Sequence, residues 1–218
     1  MSALLKRLAR LFYAPSGVME ELKENPRWLG ALLVGALLVV VSSALVPEEL
    51  MRETMRLEAI RRGGEVPTGM EGRIGLMRNL SLIATPIFWF VWNTFVAGVL
   101  TVIFAFLLGD EGTYRQYLSV VVHASFIGAV GAVLTTPLRI QAQDLYLTLS
   151  IGTFAQGFMA EGYWLRVLQT LDLFGLWAYG LMAVGAGAID KRRTWLSGFI
   201  AIMVFGFSVA LLVARIRG

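Results

Sequence analysis

The chain has 218 residues, of which 57% are hydrophobic and 16% are charged, and its formal net charge is +4. Its mean hydropathy of +0.69 is too high for a soluble domain of this length, which lacks the polar residues to cover so much apolar surface. There is no cysteine, which excludes disulfides, thiol catalysis and cysteine-ligated zinc or iron-sulfur clusters. The composition therefore predicts a protein embedded in a membrane.

Residues 1–27 are predicted to form an amphipathic cytosolic arm. The segment MSALLKRLARLFY places leucines and Phe12 on one helical face and basic residues on the other, which is typical of a helix that lies on an anionic membrane surface. A second short helix is expected from Ser16, as N-cap, to about Asn25. The alternatives are a solvated basic N-terminus and a helix whose apolar face packs on neighbouring protein helices. The residues expected to bind lipid or a partner are Lys6, Arg7, Arg10, Lys23 and Arg27.

Five apolar runs are long enough to cross the roughly 30 Å hydrocarbon core of a bilayer as helices. We expect the second of these helices to begin at Thr85, as N-cap, with Pro86 in its first turn, because the whole run from Leu80 to Leu108 is longer than the membrane requires. The predicted fold is an all-α polytopic bundle of five transmembrane helices over residues 28–218. The spans are predicted at about 28–46, 85–108, 116–138, 168–189 and 195–213.

Two of the connections are predicted to carry short helices. Residues from Glu48 to about Arg62 favour a soluble helix, because glutamates lie at its positive end, opposite charges recur at i,i+4, and Gly63 and Gly64 follow. Residues 139–166 are expected to form one or two short amphipathic helices that aromatic residues anchor at the membrane interface.

The distribution of charge favours an N-terminus inside and a C-terminus outside. Lysines and arginines divide almost evenly between the two sides, but basic residues in short loops and near span ends carry the most weight. The compact DKRR loop at residues 190–193 and the basic N-terminus therefore decide the predicted orientation.

Three stretches form a pattern through their order and spacing on the predicted spans. They are FYAPSGVMEELKENPRWLGALLV, LLGDEGTYRQYLSVVVHASF and LDLFGLWAYGLMAVGAGA. Together they resemble the Yip1-domain family, specifically its short bacterial members. The resemblance implies a five-helix membrane fold, a cytosolic N-terminus and a bacterial cytoplasmic membrane. For eukaryotic relatives it implies membrane traffic with Rab GTPases, but this chain lacks their long Pro/Gly-rich N-terminal domain and has GAVGAVL in place of their Gly-Tyr signature, which argues against that role.

Asp172 lies at the edge of the fourth span, where a charge in hydrocarbon is costly. Counting back from Asp190 places it roughly 27 Å from the inner side, near the outer boundary of the core. We expect it to join other polar residues of similar depth in a hydrogen-bonded layer. Three roles remain open for Asp172: a cap of span four, a partner- or lipid-binding residue, and a transport or proton-transfer residue. The other members of the layer are Asn93, Ser42, Ser43 and Ser208.

His123 is predicted to lie about 12 Å from the inner side, too far from Asp172 for a proton relay. It has no second ligand at metal spacing, so we expect a structural hydrogen-bond donor. Ladders of small residues in the last three spans allow close helix packing, either within the bundle or at a dimer face.

No catalytic motif is present, whether a phosphate loop with its lysine, HExxH, GxSxG or a pair of carboxylates within the membrane, so we expect no enzyme activity, metal or cofactor. The basic residues form no nucleic-acid patch, and the pI near 9.7 fits anionic lipids. The sequence therefore predicts a non-enzymatic integral membrane protein that organises membrane or recruits a lipid or partner. Its expected partners are anionic membrane lipids, a second copy or another membrane protein. The alternative is a transporter, channel or lipid-moving protein that uses the polar layer around Asp172.

Overall fold

The computed structural model describes residues 3–61, 63 and 69–216, and this part of the chain is helical apart from its loops and one isolated β-bridge. The helices in chain order are α1 (Ala3–Arg10), α2 (Pro15–Glu24), α3 (Leu29–Ala44), α4 (Glu48–Arg61), α5 (Met70–Thr101), α6 (Tyr114–Ala142), α7 (Ile151–Ala155), α8 (Tyr163–Thr170), α9 (Leu173–Ile189) and α10 (Trp195–Ile216). A π-helical segment, Val102–Leu107, continues α5.

The bundle is built around α6, which has buried residues on all of its faces. Helices α3, α5 and α9 pack directly on α6, and α10 packs on α9 and α8. The C-terminus of α9 lies beside the N-terminus of α6, because a salt bridge joins Arg193 to Asp110. We call this end of the bundle, which carries the loop Asp190–Arg193, the DKRR end.

Three helices are long and apolar enough to cross a membrane, judged by length and composition over the described residues: Arg73–Leu107, Tyr114–Ala142 and Trp195–Ile216. A fourth span is counted if α3 and α4, which meet at a bend of 76°, are taken as one. Helix α9 is apolar but has only 17 residues. An all-α polytopic membrane protein is therefore confirmed, whereas the count of five spans stays a prediction.

The predicted start of the helix that forms the second span is wrong. Helix α5 begins at Met70 and continues through Pro86, instead of starting at Thr85. Proline is compatible with the first turn of a helix and also with the interior of a membrane helix, where neighbouring groups satisfy the freed carbonyl. The residue type alone therefore could not place the start of the helix.

Two other predicted helix boundaries are also corrected. The fourth span does not begin at residue 168, because α8 ends at Thr170 and Asp172 caps a separate helix, α9. Helix α2 begins at Pro15, with Ala14 rather than Ser16 at the N-cap position. Proline suits this first position because its missing N–H would have no partner there.

The predicted connecting helices are present. Helix α4 begins at Glu48 as expected, although Arg62 and Gly64 lie outside the described residues. Helices α7 and α8 occupy the segment between the third and fourth predicted spans. An isolated antiparallel β-bridge between Ser150 and Asp172 joins the two ends of this segment.

Glycines allow the central helices to approach closely within the chain. A Cβ atom at Gly131 of α6 would collide with Phe174, and one at Gly185 of α9 would collide with Val120. On α10, Gly206 lies against the ring of Tyr179. Small residues at these positions therefore serve intramolecular packing.

Candidate functional site

Helices α1 and α2 form a hairpin that packs into the side of the bundle. The side chains of Val18, Met19 and Leu22 are fully buried, and α2 lies against α9 and α6. We call residues 3–24 the N-terminal hairpin. It corresponds to the alternative in which the apolar face packs on protein helices, and it replaces the expected arm on the membrane surface.

The tip of the N-terminal hairpin lies on the side of the bundle, well away from the DKRR end. The ring of Phe12 makes edge contacts with Phe126 and Trp177, at centroid distances of 6.4 and 5.4 Å. Phe126 lies 12 residues after the start of α6, which is about 18 Å along the helix. At its other end the hairpin returns to the DKRR end, where Nε2 of Gln116 donates a 2.9 Å hydrogen bond to the carbonyl oxygen of Lys23.

An ion pair closes the N-terminal hairpin. Nε and Nη2 of Arg7 donate to Oε1 of Glu21 at 3.0 and 2.6 Å, and Arg10 donates to Oε2 at 3.2 Å. The hydrogen bond from Arg7 holds the pKa of Glu21 below its ordinary value. The Arg7 side chain is only 9% exposed, so it does not face lipid as expected. Two of the five predicted lipid-binding residues are therefore engaged within the chain.

The other three predicted basic residues remain exposed or partly exposed, and none of them forms an ion pair with any residue that the structure describes. Lys6 lies two residues after Leu4, and the side chain of Leu4 lies beside Gly30 at the start of α3. The carbonyl of Lys23 is bound at the DKRR end, and Arg27 donates a hydrogen bond to Asn25. All three residues therefore lie at or near the DKRR end.

Two arginine–aspartate pairs form at the DKRR end, one between two loops and one within a single loop. Arg193 forms a bidentate pair with Asp110, and its guanidinium lies 5.2 Å from the ring centroid of Phe104. Arg192 pairs with Asp190, and its hydrogen bonds hold the pKa of that carboxyl well below its usual range. The Arg193–Asp110 pair and a 3.2 Å hydrogen bond from Nη2 of Arg192 to the carbonyl of Gly109 fix the α5–α6 loop against the α9–α10 loop.

The predicted polar layer is not assembled by hydrogen bonds among its members. Oδ1 of Asp172 accepts a 2.9 Å hydrogen bond from the backbone N–H of Gly175 and thereby caps α9. Nδ2 of the fully buried Asn93 donates to the carbonyl of Trp89 in its own helix, while its Oδ1 has no partner in the described structure. Of the three roles left open for Asp172, the structure places it in the capping role.

The serines of the predicted layer also find other partners. Ser43 and Ser208 donate to carbonyls of their own helices, four residues earlier. Within the predicted polar layer, Ser42 is the member whose side chain bonds to another helix. Its hydroxyl lies 2.8 Å from that of Thr136 and 3.2 Å from the carbonyl of Ala132, both on α6. Since a helix offers each serine a carbonyl at i−4, equal depth does not bring these hydroxyls together.

His123 is fully buried in the core. Its Nδ1 lies 2.8 Å from the carbonyl oxygen of Ser119, and its Nε2 has no hydrogen-bond partner among the described residues. Within the same part of the chain, no three His, Cys, Asp or Glu side chains lie close enough together to hold a metal ion.

Comparison with known proteins identifies the family. The family model of the Yip1 domain matches residues 9–213. The chain belongs to the Yip1 domain family. It is also similar to the membrane protein YknW of Bacillus subtilis (strain 168), with 24% identity over 201 residues that make up 90% of this chain and 84% of that protein. No solved structure shows a significant match.

The extent of the Yip1 domain agrees with the packing of the N-terminal hairpin. The match begins in α1 and ends in α10, so it includes α2 and its contacts with α9. The first of the three stretches that carried the resemblance contains α2, and the third opens α9. These two stretches therefore pack against each other in this Yip1 domain.

Sequence reasoning missed several residues that hold this Yip1 domain together. Glu21 was not singled out, although it is one of three acids in α2 that follow the basic residues of α1 after a short turn, a pattern that favours a hairpin closed by ion pairs. Thr136 belongs to a hydroxyl doublet in α6, which was a signal for a partner such as Ser42. The pairing of Asp110 with Arg193 joins an acidic and a basic loop that the predicted topology already placed on one side.

Proposed function

We propose that this Yip1-domain protein is a non-enzymatic integral membrane protein that binds anionic lipid headgroups at its DKRR end. Through that binding it organises the membrane or recruits a partner to it. In this proposal the protein resides in the bacterial cytoplasmic membrane with the DKRR end inside.

The observation that carries the proposal is a group of basic side chains that have no ion-pair partner in the described structure. They are exposed or partly exposed at or near the DKRR end, and they are Lys6, Lys23, Arg27, Arg115 and Lys191. Glu20 and Glu24 on α2 and the exposed Glu111 beside the DKRR loop reduce this positive charge but do not cancel it. Since each lysine or arginine near an anionic surface contributes about 1 kcal/mol, three to five of them can select anionic lipids.

The experiment compares lipids retained by the purified protein from mixed phosphatidylglycerol and phosphatidylcholine bilayers, measured by native mass spectrometry. The test variant is Lys6→Gln/Lys23→Gln/Arg27→Gln. The matched control, Arg56→Gln/Arg73→Gln/Arg215→Gln, removes three exposed charges elsewhere on the molecule. We expect wild type and control to retain several-fold more phosphatidylglycerol, and the test variant to lose this preference. Equal preference in all three proteins would contradict the proposal.

A further inference from the structure

Helices α5 and α10 flank a cavity whose floor is formed by α6 and α9. The cavity has a volume of about 180 Å³ and is open on one side. Its lining is almost entirely apolar, and aromatic rings form much of its walls. Residues of the four helices that line it include Trp92, Val96, Gly128, Tyr179, Met182 and Phe205.

The cavity is long and lies within the spanning part of the bundle. Along α5 its lining runs from Trp89 to Leu100, which is about 16 Å of helix. Along α10 it runs from Ile202 to Val209, starting about 10 Å from Trp195 at the DKRR end. Its length is about half of a 30 Å hydrocarbon core, which is the depth of one leaflet.

No atom of the described residues fills the space above Gly128. A Cβ atom at Gly128 would meet no other atom within 4 Å. By contrast, Phe174 and Val120 occupy the corresponding space at Gly131 and Gly185. The interface of α6 and α9 is therefore closely packed at Gly131 and Gly185 but leaves an unfilled space at Gly128.

The cavity is accessible beside Trp92, a lining residue that is 38% exposed on α5. Phe95 on α5 is 54% exposed and Val204 on α10 is 63% exposed, and both helices are long and apolar enough to span the membrane. Apolar cavities of about 150 Å³ stay dry and take up hydrocarbon, and an unfilled one deprives its lining of dispersion contacts. We infer that one acyl chain of a membrane phospholipid occupies the cavity between α5 and α10.

This acyl-chain site differs from the headgroup site proposed at the DKRR end. None of the exposed basic residues lines the cavity, and neither Asp172 nor Asn93 does. The two sites can therefore be tested separately, with an uncharged probe for the cavity.

The test uses phosphatidylcholine with a diazirine in one acyl chain, activated by light in proteoliposomes, followed by mapping of the adducts. We expect wild type to be labelled on the cavity floor, at Ser125, Tyr179 or Met182. Gly128→Leu fills the cavity and is expected to lower floor labelling at least fivefold, while labelling of the exposed Val204 surface stays constant. Phe205→Ala opens one wall and is expected to raise floor labelling, which keeps the proposal testable even if Gly128→Leu folds poorly.

The matched control is Gly98→Leu. Gly98 is also a helical glycine with open space around its Cβ position, but it does not line the cavity, so floor labelling is expected to match wild type. An unlabelled floor in wild type, or equal floor labelling in wild type, Gly128→Leu and Phe205→Ala, would overturn the inference. Floor residues cross-linked to a second copy of the chain would also overturn it, in favour of a dimer interface.

Discussion

The N-terminal hairpin and α4 both mix apolar and charged residues, but the fold uses them differently. Both are amphipathic, both carry mixed charges, and both adjoin α3. The hairpin buries Val18, Met19 and Leu22 completely. Helix α4 turns 76° away from α3, packs on α5 and leaves Leu57 and Ile60 about half exposed.

The hairpin is buried, and α4 is not, because of where the neighbouring helices lie. Helices α3 and α9 both pack on α6, and α2 lies in the gap beside them. Helix α4 packs mainly on α5, where Glu48 pairs with Arg78 in the N-terminal half of that helix. An amphipathic pattern therefore determines which face is apolar, but the spacing of other helices determines whether protein covers that face.

The largest expected effect distinguishes the two regions by leucine truncation. Leu22→Ala removes a fully buried side chain from the hairpin and is expected to destabilise the protein by about 2–4 kcal/mol. Leu57→Ala on α4 truncates a side chain that is 45% exposed and is expected to change stability by less than about 0.5 kcal/mol. Thermal unfolding in nanodiscs measures both. Equal effects would show that the hairpin is not docked in the membrane.

The second prediction compares one ion pair in each region. Glu21→Gln leaves Arg7 buried without its carboxylate and is expected to cost about 2 kcal/mol, in the lower part of the range for such changes because Glu21 is itself partly exposed. Glu48→Gln breaks the partly exposed pair between Glu48 on α4 and Arg78 on α5. This change is expected to cost at most about 1 kcal/mol. Limited proteolysis is expected to cleave residues 1–25 faster in Glu21→Gln alone.

Acid pH tests the same hairpin without substitution. The pKa of Glu21 is lowered, so its ion pair contributes stability above the ordinary value of 4.5 and loses it as the pH falls through the lowered folded-state value. We expect the melting temperature of wild type to exceed that of Glu21→Gln at neutral pH, and the two to converge below pH 4.5. A gap that persists at low pH would assign the effect of the substitution to side-chain packing rather than charge.

The smallest expected effect concerns the anchoring of α4. The hydroxyl of Tyr146 donates a 2.6 Å hydrogen bond to Glu58, which ties α4 to the segment before α7. Tyr146→Phe is expected to cost about 0.5–1 kcal/mol because both groups remain accessible to solvent. Hydrogen exchange is expected to rise in α4 and to stay unchanged in the hairpin. Faster exchange in both would show that the two regions are coupled.

The parts of the fold that could be predicted are those that a single segment determines. The apolar run of α6 exceeds 20 residues, so local sequence was sufficient to predict that helix. Capping by Asp172 was one of three roles left open, and the helix that it caps was predicted from residue 168 although it begins at Leu173. The start of α5 could not be placed, because Pro86 is compatible with two positions in a helix. The polar layer failed for a related reason: depth along a helix can be counted, whereas the direction in which Ser43 or Ser208 points depends on helix rotation and on competition from its own backbone.

The docking of the N-terminal hairpin on α9 has a consequence for biosynthesis. The first 24 residues leave the ribosome early, but the helix that covers them is made about 150 residues later, which at 5–20 residues per second is a delay of roughly 8–30 s. During that interval the buried face of α2 has no partner in α9, and the Arg7–Glu21 pair is held by the hairpin alone. The packing of the hairpin can therefore be completed only after α9 has been synthesised and inserted.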